Sequence, residues 1–248
     1  MTSCDALKLV DATNIRLGEP IRCSRLDNCD IHRHSFFHKL SDEDLAMLCQ
    51  RSRLHRLEAR QMLCREGEPA ERFFIVLSGQ LKLYRVSDQG SERILGSAGP
   101  GEVLGEVPAC APEGSYPWYA QCLENTEVRS FSGSLLRDMV GKRTDYVMNI
   151  MDYMSEAARA DVNTREILSS QNARDRLVNY ILQRLPTEQT VPQVMELPLP
   201  KGLTASLLAM QPETLSRILA DMRRKGLIEV EQRRIRVHDR RGLAFLAS

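Results

Sequence analysis

Residues 209–222 read AMQPETLSRILADM, and this stretch decides how the C-terminal part of the chain folds. Pro212 suits the first position of a helix, because its missing N–H would have no partner there. From Leu215 onward, apolar residues recur three and four positions apart, which predicts a helix with one buried face. The three residues before the proline predict a tight turn.

The segments around this stretch complete a supersecondary pattern. Residues 203–208 predict a short helix before the turn, and Gly226 ends the second helix. Residues 227–230 and 234–237 then alternate as two strands. A short helix, a tight turn, a second helix and a two-stranded ribbon make a winged helix-turn-helix. An earlier helix over 173–185 and a β segment over 194–197 precede it.

The second helix carries polar residues on the face opposite its apolar stripe. Glu213, Ser216 and Arg217 share that face, since positions three and four apart lie side by side. In a DNA major groove, Arg binds guanine O6 and N7, Glu accepts from cytosine N4, and Ser can approach thymine. These three residues are therefore the predicted base-reading set. The alternative is an ordinary ion pair between Glu213 and Arg217 on a solvated face.

Other residues of this region are predicted to contact DNA phosphates, which position a protein without specifying sequence. They are Thr204, Arg223, Arg224, Lys225, Arg233, Arg234 and Arg236. Residues 171–248 hold 13 Lys and Arg against 8 Asp and Glu, whereas the whole chain has a net charge of only +1. A basic C-terminal module on an acidic body favours a nucleic-acid partner, although basic surfaces are also common for other reasons.

The middle of the chain has a different pattern. From residue 54 to residue 131, short β-rich runs alternate with turns at about ten-residue spacing, which is typical of a sandwich or jelly roll. Ser41 and Asp44 form a predicted capping box, so a short helix begins there. Residues 134–170 then switch to a helical period, with a break expected at Gly141. A helix this long predicts a dimerisation seam, the alternative being that it only covers the β domain.

These patterns divide the chain into four predicted parts of an α+β protein. They are an N-terminal Cys/His-containing arm (1–40), an effector-sensing β-roll or jelly roll (41–133), a dimerisation helix (134–170) and a winged helix-turn-helix DNA-binding domain (171–248).

Two blocks of sequence resemble one known family. PETLSRILADMRRKGLIEV, preceded by LTASLLAMQ, and REGEPAERFFIVLSGQLKLYRVSDQGSERILGSAGPGEVLGE are similar to the CRP/FNR superfamily of transcriptional regulators. Gly67, Gly79, Gly101 and Gly105 stand where the turns of that family's β-roll need glycine. The resemblance implies a homodimer with a cyclic-nucleotide-binding-like β-roll, a long dimerisation helix and a C-terminal winged helix. RNA polymerase is an expected partner.

Within the family, the Glu-x-x-Ser-Arg pattern falls on Glu213, Ser216 and Arg217. In the FNR and denitrification-regulator (DNR-like) branches, which this chain resembles most, that pattern accompanies TTGAT half-sites in an inverted repeat. The family's cyclic-nucleotide binders also have a Gly-Glu pair followed by an Arg that binds the cyclic phosphate. Gly105-Glu106 is present, but Tyr116-Pro117 stands where the Arg is expected. Cyclic AMP is therefore not the expected effector.

The predicted N-terminal arm concentrates possible metal or redox ligands, namely Cys23, Cys29, His32 and His34. The oxygen-sensing branch uses N-terminal cysteines and one β-roll cysteine for an iron–sulfur cluster, but here the β-roll position is Arg129. The denitrification-type branch is thought to use haem. The cofactor stays open between haem, an iron–sulfur cluster and none, because the spacing matches no strong zinc motif and a polar arm without ligand is the alternative.

The sequence therefore predicts a DNA-binding regulator that responds to a redox or gaseous signal, oxygen or nitric oxide. A regulator with a cyclic nucleotide or another small molecule in its β-roll is the alternative. An enzyme is not expected, because no serine elbow, phosphate loop or HExxH motif is present. With no apolar run near the ~20 residues of a membrane helix and no visible signal peptide, a cytoplasmic location is expected.

Overall fold

A computed structural model describes residues 34–169, 172–186 and 192–246 of the chain. The helices are α1 (Asp42–Gln50), α2 (Glu106–Cys110), α3 (Gly133–Val140), α4 (Thr144–Ser169), α5 (Ala173–Arg184), α6 (Lys201–Leu207), α7 (Pro212–Arg224) and α8 (Arg240–Phe245). The strands are β1 (Arg53–Leu57), β2 (Met62–Cys64), β3 (Arg72–Ser78), β4 (Leu81–Val86), β5 (Glu92–Ala98), β6 (Val103–Leu104), β7 (Tyr119–Cys122), β8 (Thr126–Ser132), β9 (Gln193–Glu196), β10 (Ile228–Glu231) and β11 (Arg234–Val237).

Eight of the strands form the predicted β-roll. One four-stranded antiparallel sheet has the order β1-β8-β3-β6, and the other has the order β2-β7-β4-β5. Side chains such as Phe74, Val76 and Val128 from the first sheet meet Leu81 and Ala120 from the second, and all are buried. The α+β fold class with its antiparallel roll is confirmed.

Two of the predicted turn glycines show why the roll needs them. Gly79 has φ +85°, and a Cβ there would lie 2.5 Å from the Thr126 Oγ1 atom. Gly105 has φ +78°, and a Cβ there would lie 2.9 Å from the Tyr116 ring. Both positions combine a left-handed backbone with a close neighbour, so a side chain is excluded twice over.

The helices next to the roll agree with the predicted pattern and add detail. The Ser41 hydroxyl accepts a hydrogen bond from the Asp44 amide at 3.2 Å, which caps α1 as expected. The break at Gly141 is present, because α3 ends there and α4 begins at Thr144. The predicted helix over 134–170 is therefore two helices, of which α4 has 26 residues.

The N-terminal edge of the described chain packs against the helices rather than extending freely. Phe36 and Phe37 are buried, and the Phe37 ring stacks on Phe73 with centroids 5.3 Å apart. The Asn149 side chain of α4 donates to the Phe36 carbonyl at 2.7 Å. Phe36 and Phe37 of the predicted arm thus belong to the core that α1 and α3 also line, and Leu40 packs against it.

The winged helix domain has its own core and a three-stranded sheet of order β10-β11-β9. Leu177 and Ile181 of α5 meet Leu215 and Met222 of α7 there, with all four buried. Helices α5, α6 and α7 and the wing strands match the predicted elements to within about two residues. Helices α2 and α8 are additions that no periodic pattern had indicated, because each is only five or six residues long.

A small apolar cluster joins the two domains. Tyr84 of β4 and Ile94 of β5 contact Leu199, and Leu203 and Leu207 pack against them. A cavity of about 390 Å³ opens beside this contact, between β5 on one side and α5, β9 and α6 on the other. No helix among the described residues is long and apolar enough to cross a membrane.

Candidate nucleic-acid interface

Helix α7 is held to its domain by one face and shows the other to solvent. Leu215, Ile218, Leu219 and Met222 are buried, which is the spacing that the sequence predicted. The reading set lies on the opposite side, where Glu213, Ser216 and Arg217 are all exposed. The base-reading residues are therefore together on one accessible helix face.

The side chains of the reading set also have no bonding partner within the described chain. The side chains of Glu213 and Arg217 take part in no hydrogen bond or ion pair with any other residue of the described ranges. The ion pair that was the alternative explanation of this spacing is not formed. Both side chains keep their hydrogen-bonding groups available for an external partner, which in a major groove would be base edges.

The basic residues among the predicted phosphate contacts fall into two groups. The side chains of Arg223 and Arg234 are exposed, and neither has a hydrogen-bonding or ionic partner within the part of the chain described. The others are engaged in exposed ion pairs, in which Arg224 and Lys225 contact Asp221 at 3.1 and 3.3 Å, Arg233 contacts Glu196 at 3.2 Å, and Arg236 contacts Glu229 at 3.1 Å. Exposed pairs contribute little stability, so a phosphate can replace the carboxylate.

Thr204 differs from the expectation for a phosphate contact. Its side chain is fully buried, and its hydroxyl donates to the Leu199 carbonyl at 3.1 Å. A hydroxyl inside the domain cannot reach a phosphate, so the assignment of Thr204 to that group is corrected. Thr204 and Ala205 are the buried residues of the short helix α6, on the face that packs against the domain core.

Two polar contacts behind the interface were not predicted. Asp221 accepts a hydrogen bond from Lys225, and this bond lowers the pKa of the Asp221 carboxyl. Arg174 of α5 also reaches Asp221, at 3.7 Å. Arg176, two positions further along α5, donates to the backbone between α6 and α7. The two contacts from α5, Arg174 to Asp221 and Arg176 to the turn, join residues more than 30 positions apart, so nothing in the sequence alone indicated them.

The β-roll has a tyrosine where the family's cyclic-nucleotide binders have their phosphate-binding arginine. Tyr116 is buried, and its hydroxyl donates to the Arg72 carbonyl at 2.6 Å. Burial raises the pKa of this phenol, which keeps it neutral. The ring lies against Gly105, where it occupies space rather than offering a cation.

The neighbouring Glu106 is used internally. Its carboxylate is buried and accepts a hydrogen bond from the Tyr153 hydroxyl of α4 at 2.6 Å. Burial raises the pKa of the Glu106 carboxyl, although the Tyr153 bond opposes that shift. This contact joins the first residue of α2 to the long helix α4.

The predicted metal or redox residues are only partly within the structure. Cys23, Cys29 and His32 lie outside the described residues. His34 is half-buried against the rings of Phe37 and Tyr153, and burial lowers its pKa.

The rest of the described chain offers no alternative metal site. No group of three or more His, Cys, Asp or Glu side chains in residues 34–169, 172–186 and 192–246 is arranged to hold a metal ion. Burial raises the pKa of Cys110 to about 11 and also raises that of Cys64, which disfavours the thiolate that a metal needs. The described residues therefore do not supply by themselves the cysteine set that an iron–sulfur cluster needs.

Two family models match the chain. The cyclic nucleotide-binding domain matches residues 54–143, and the Crp-like helix-turn-helix domain matches residues 175–246. The chain is 28% identical to the fumarate and nitrate reduction regulatory protein of Escherichia coli strain K12 over 190 residues, covering 75% of each protein. It is 27% identical to the anaerobic regulatory protein of Pasteurella multocida strain Pm70, covering 74% of this chain and 67% of that protein.

Solved structures show the same architecture. FixK2 from Bradyrhizobium japonicum superposes with a TM-score of 0.69 at 21% identity, covering 79% of this chain and 98% of that one. DNR from Pseudomonas aeruginosa superposes with a TM-score of 0.51 at 28% identity, covering 91% and 99%. The two domain matches stand in the order of the β-roll and the winged helix described above. The chain belongs to the CRP/FNR superfamily of DNA-binding transcriptional regulators.

Proposed function

We propose that this regulator binds TTGAT-type inverted repeats as a homodimer and changes transcription in response to a redox or gaseous signal, oxygen or nitric oxide. The observation that carries the DNA-binding half is the exposed, unpaired set Glu213, Ser216 and Arg217 on α7. Arg217 would bind guanine and Glu213 would accept from cytosine, so one G·C pair would be read by both residues. RNA polymerase is the proposed partner on the promoter.

The dimer is proposed from the surface of α4. Val147, Met148, Met151, Met154 and Val162 are all at least 39% exposed, although they are large and apolar. Their spacing puts an apolar stripe along most of the helix, and a second copy of the same helix would cover it. Two winged helices would then face two half-sites, as an inverted repeat requires.

The signal is proposed from the relatives. Two of them carry names that refer to fumarate and nitrate reduction and to anaerobic regulation. The match to DNR is 28% identical and covers nearly the whole of that chain. If a haem or an iron–sulfur cluster is the sensor, Cys23, Cys29 and His32 are the residues proposed to help hold it, together with His34.

One experiment tests the DNA-binding proposal directly. Fluorescence anisotropy would compare a labelled TTGAT inverted repeat with a scrambled duplex, with and without oxygen, at two salt concentrations. We expect about 10³-fold or greater preference for the repeat in at least one redox state, which is the lower range of specific regulators. Equal affinity for both duplexes in every redox state would contradict the operator assignment.

A second experiment tests the signal. The protein purified without oxygen would be examined by ultraviolet–visible absorption and by iron and zinc analysis. A Soret band, or a broad iron–sulfur absorption, that disappears in Cys23→Ser or Cys29→Ser would support the proposed sensor. A featureless spectrum with no metal would exclude a tightly bound cofactor in that preparation and direct the search to thiol chemistry.

A cyclic-nucleotide response remains the second candidate, because residues 54–143 match the cyclic nucleotide-binding domain. Against it stands buried Tyr116, which supplies no cation for a phosphate. Titration calorimetry with cyclic AMP and cyclic GMP separates the two candidates. Submicromolar binding would favour this one, and the absence of heat with either nucleotide would oppose it.

A further inference from the structure

The turn between α6 and α7 has a defined backbone arrangement. The Met210 amide donates to the Ala205 carbonyl at 3.0 Å, and the Ala209 amide donates to the Ser206 carbonyl at 3.0 Å. These two bonds form a Schellman motif, and Ala209 takes its left-handed position with φ +50°. A residue with a Cβ in this conformation is uncommon, so the turn depends on contacts that hold it there.

Arg176 of α5 supplies such a contact from outside the turn. Its Nε atom donates to the Leu208 carbonyl at 2.8 Å, and its Nη2 atom donates to the Ala209 carbonyl at 3.0 Å. The last carbonyls of a helix have no intrahelical partner, and the helix dipole favours a cation at that end. One planar guanidinium thus fixes two consecutive peptide groups of the turn.

The start of α7 has no side-chain cap to orient it. Gln211 is the N-cap residue, but its side chain makes no capping hydrogen bond. Glu213 follows only two residues later, and Arg217 lies one turn further along the same helix. The angle at which α7 leaves the turn therefore sets where both side chains meet the groove.

We propose that Arg176 is a positioning residue for base reading. It fixes the turn from α6 to α7, and so the direction of the reading helix, without touching a base itself. This inference rests on the proposed sequence-specific DNA binding, and it adds a residue that does not belong to the exposed face of α7. The Arg176 side chain is half-buried, and its Nε and Nη2 atoms already bond to two carbonyls of the turn.

The proposal separates two possible roles by their salt dependence. Removing a phosphate contact lowers affinity for all DNA sequences and reduces the slope of log affinity against log salt by about 1. Removing a positioning residue lowers affinity for the operator but leaves non-specific affinity and the salt slope unchanged. The ratio of the two affinities is therefore the decisive quantity.

The experiment compares Arg176→Met and Arg176→Lys with the wild-type protein and with Arg184→Met as the matched control. Arg184 is on the same helix and is exposed, and its guanidinium lies over the Tyr180 ring rather than at the turn. Anisotropy gives the affinity for the TTGAT repeat and for the scrambled duplex across a salt series. Hydrogen–deuterium exchange of residues 206–215 reports on the turn directly.

We expect Arg176→Met to lose about tenfold or more in affinity for the repeat, as for hydrogen bonds to a charged group. Affinity for the scrambled duplex and the salt slope should stay as in the wild type, and exchange in 206–215 should rise. Arg176→Lys should recover part of the loss, because an ammonium can bond one carbonyl but cannot span two in a planar fork. Arg184→Met should resemble the wild type in the exchange of 206–215 and in both affinities.

Each other outcome contradicts the proposal in a recognisable way. An equal loss on both duplexes with a smaller salt slope would make Arg176 a phosphate contact. Unchanged exchange at the turn would remove the structural basis of the inference. If the wild-type protein does not distinguish the two duplexes, the proposed operator has failed, whereas the exchange data still report whether Arg176 holds the turn.

Discussion

At the residue scale, we propose two different roles for the exposed arginines of the interface. Arg217 lies on the exposed face of α7, while Arg234 lies at the start of β11 in the wing. We expect Arg217→Ala to cost about 1–3 kcal/mol of discrimination, since it removes a contact to a base edge. Arg234→Ala should weaken binding to all duplexes and reduce the salt slope by about 1, as for a phosphate contact.

Anisotropy on the operator and on scrambled DNA checks this pair of variants, which serve as controls for one another. Equal effects of the two substitutions on both duplexes would show that base reading and phosphate contact are assigned to the wrong residues. Arg223→Ala offers a second test of the phosphate group, because Arg223 is exposed at the end of α7.

Also at the residue scale, Glu106 makes stability depend on pH. Its pKa is raised in the folded protein, mainly by burial, so the folded state binds the proton more tightly than the unfolded state. Stability contributed by this group is therefore fully present below the ordinary pKa of a glutamic acid and is lost as pH rises through the higher folded value. Glu106→Gln removes the ionisation and can still accept from the Tyr153 hydroxyl.

The expected result is that Glu106→Gln unfolds at a higher temperature than the wild type at pH 8, by about 2–4 °C, with no gain at pH 4. Thermal unfolding followed by circular dichroism at both pH values measures this. Glu113→Gln is the matched control, because Glu113 is exposed. A gain that is the same at both pH values would mean that the charge of Glu106 is not its cause.

At the element scale, α4 has large apolar side chains that no other part of the described chain covers. Met151 is 57% exposed and Met148 is 52% exposed. We expect Met151→Glu to shift the protein toward monomer, since two copies would place like charges in the seam that the methionines would fill. Met47→Glu is the matched control, because it makes the same change on α1, where the side chain is 42% exposed. It should leave the molar mass of the dimer in solution unchanged.

Light scattering coupled to size exclusion measures the mass of each variant. Affinity for the inverted repeat should fall with the dimer, because one winged helix reads only one half-site. A Met151→Glu protein that keeps the mass of the wild type would place the dimer seam elsewhere on the molecule.

The helices show which elements a periodic pattern of apolar residues can predict and which it cannot. Helix α7 was predictable because Pro212 marks its start and its apolar residues repeat every three or four positions. The assignment of Thr204 as a phosphate contact was wrong, because its side chain is buried and the sequence did not show which face of the seven-residue α6 it lies on. Helices α2 and α8 are shorter still and carry no repeat.

At the scale of the whole molecule, contacts between distant segments could not be predicted from the sequence. The order of roll, long helix and winged helix follows from local patterns, since each segment has its own period. Local patterns do not show which apolar residues of different segments contact one another. Ile94 and Leu199 are each explained by a local strand or loop, yet in the fold they contact one another across the domain boundary. The bonds from Arg176 to the turn are of the same kind.

The contact between the domains gives the last prediction. Ile94 is 4% exposed in the cluster with Tyr84 and Leu199, so an aspartate there would be buried without a partner. We expect Ile94→Asp to separate the winged helix from the roll while each keeps its own core. Leu95→Asp is the matched control, because the adjacent side chain on β5 is 39% exposed.

Hydrogen–deuterium exchange measures the separation. In Ile94→Asp, exchange should rise in α6 and β5, where the cluster lies, and stay unchanged in α7 and in β8 at the centre of the other sheet. A rise everywhere would show general destabilisation rather than separation. An unchanged α6 would show that the cluster does not hold the domains together. With the predicted pattern, helix α7 would keep its own fold while its direction relative to the β-roll became free.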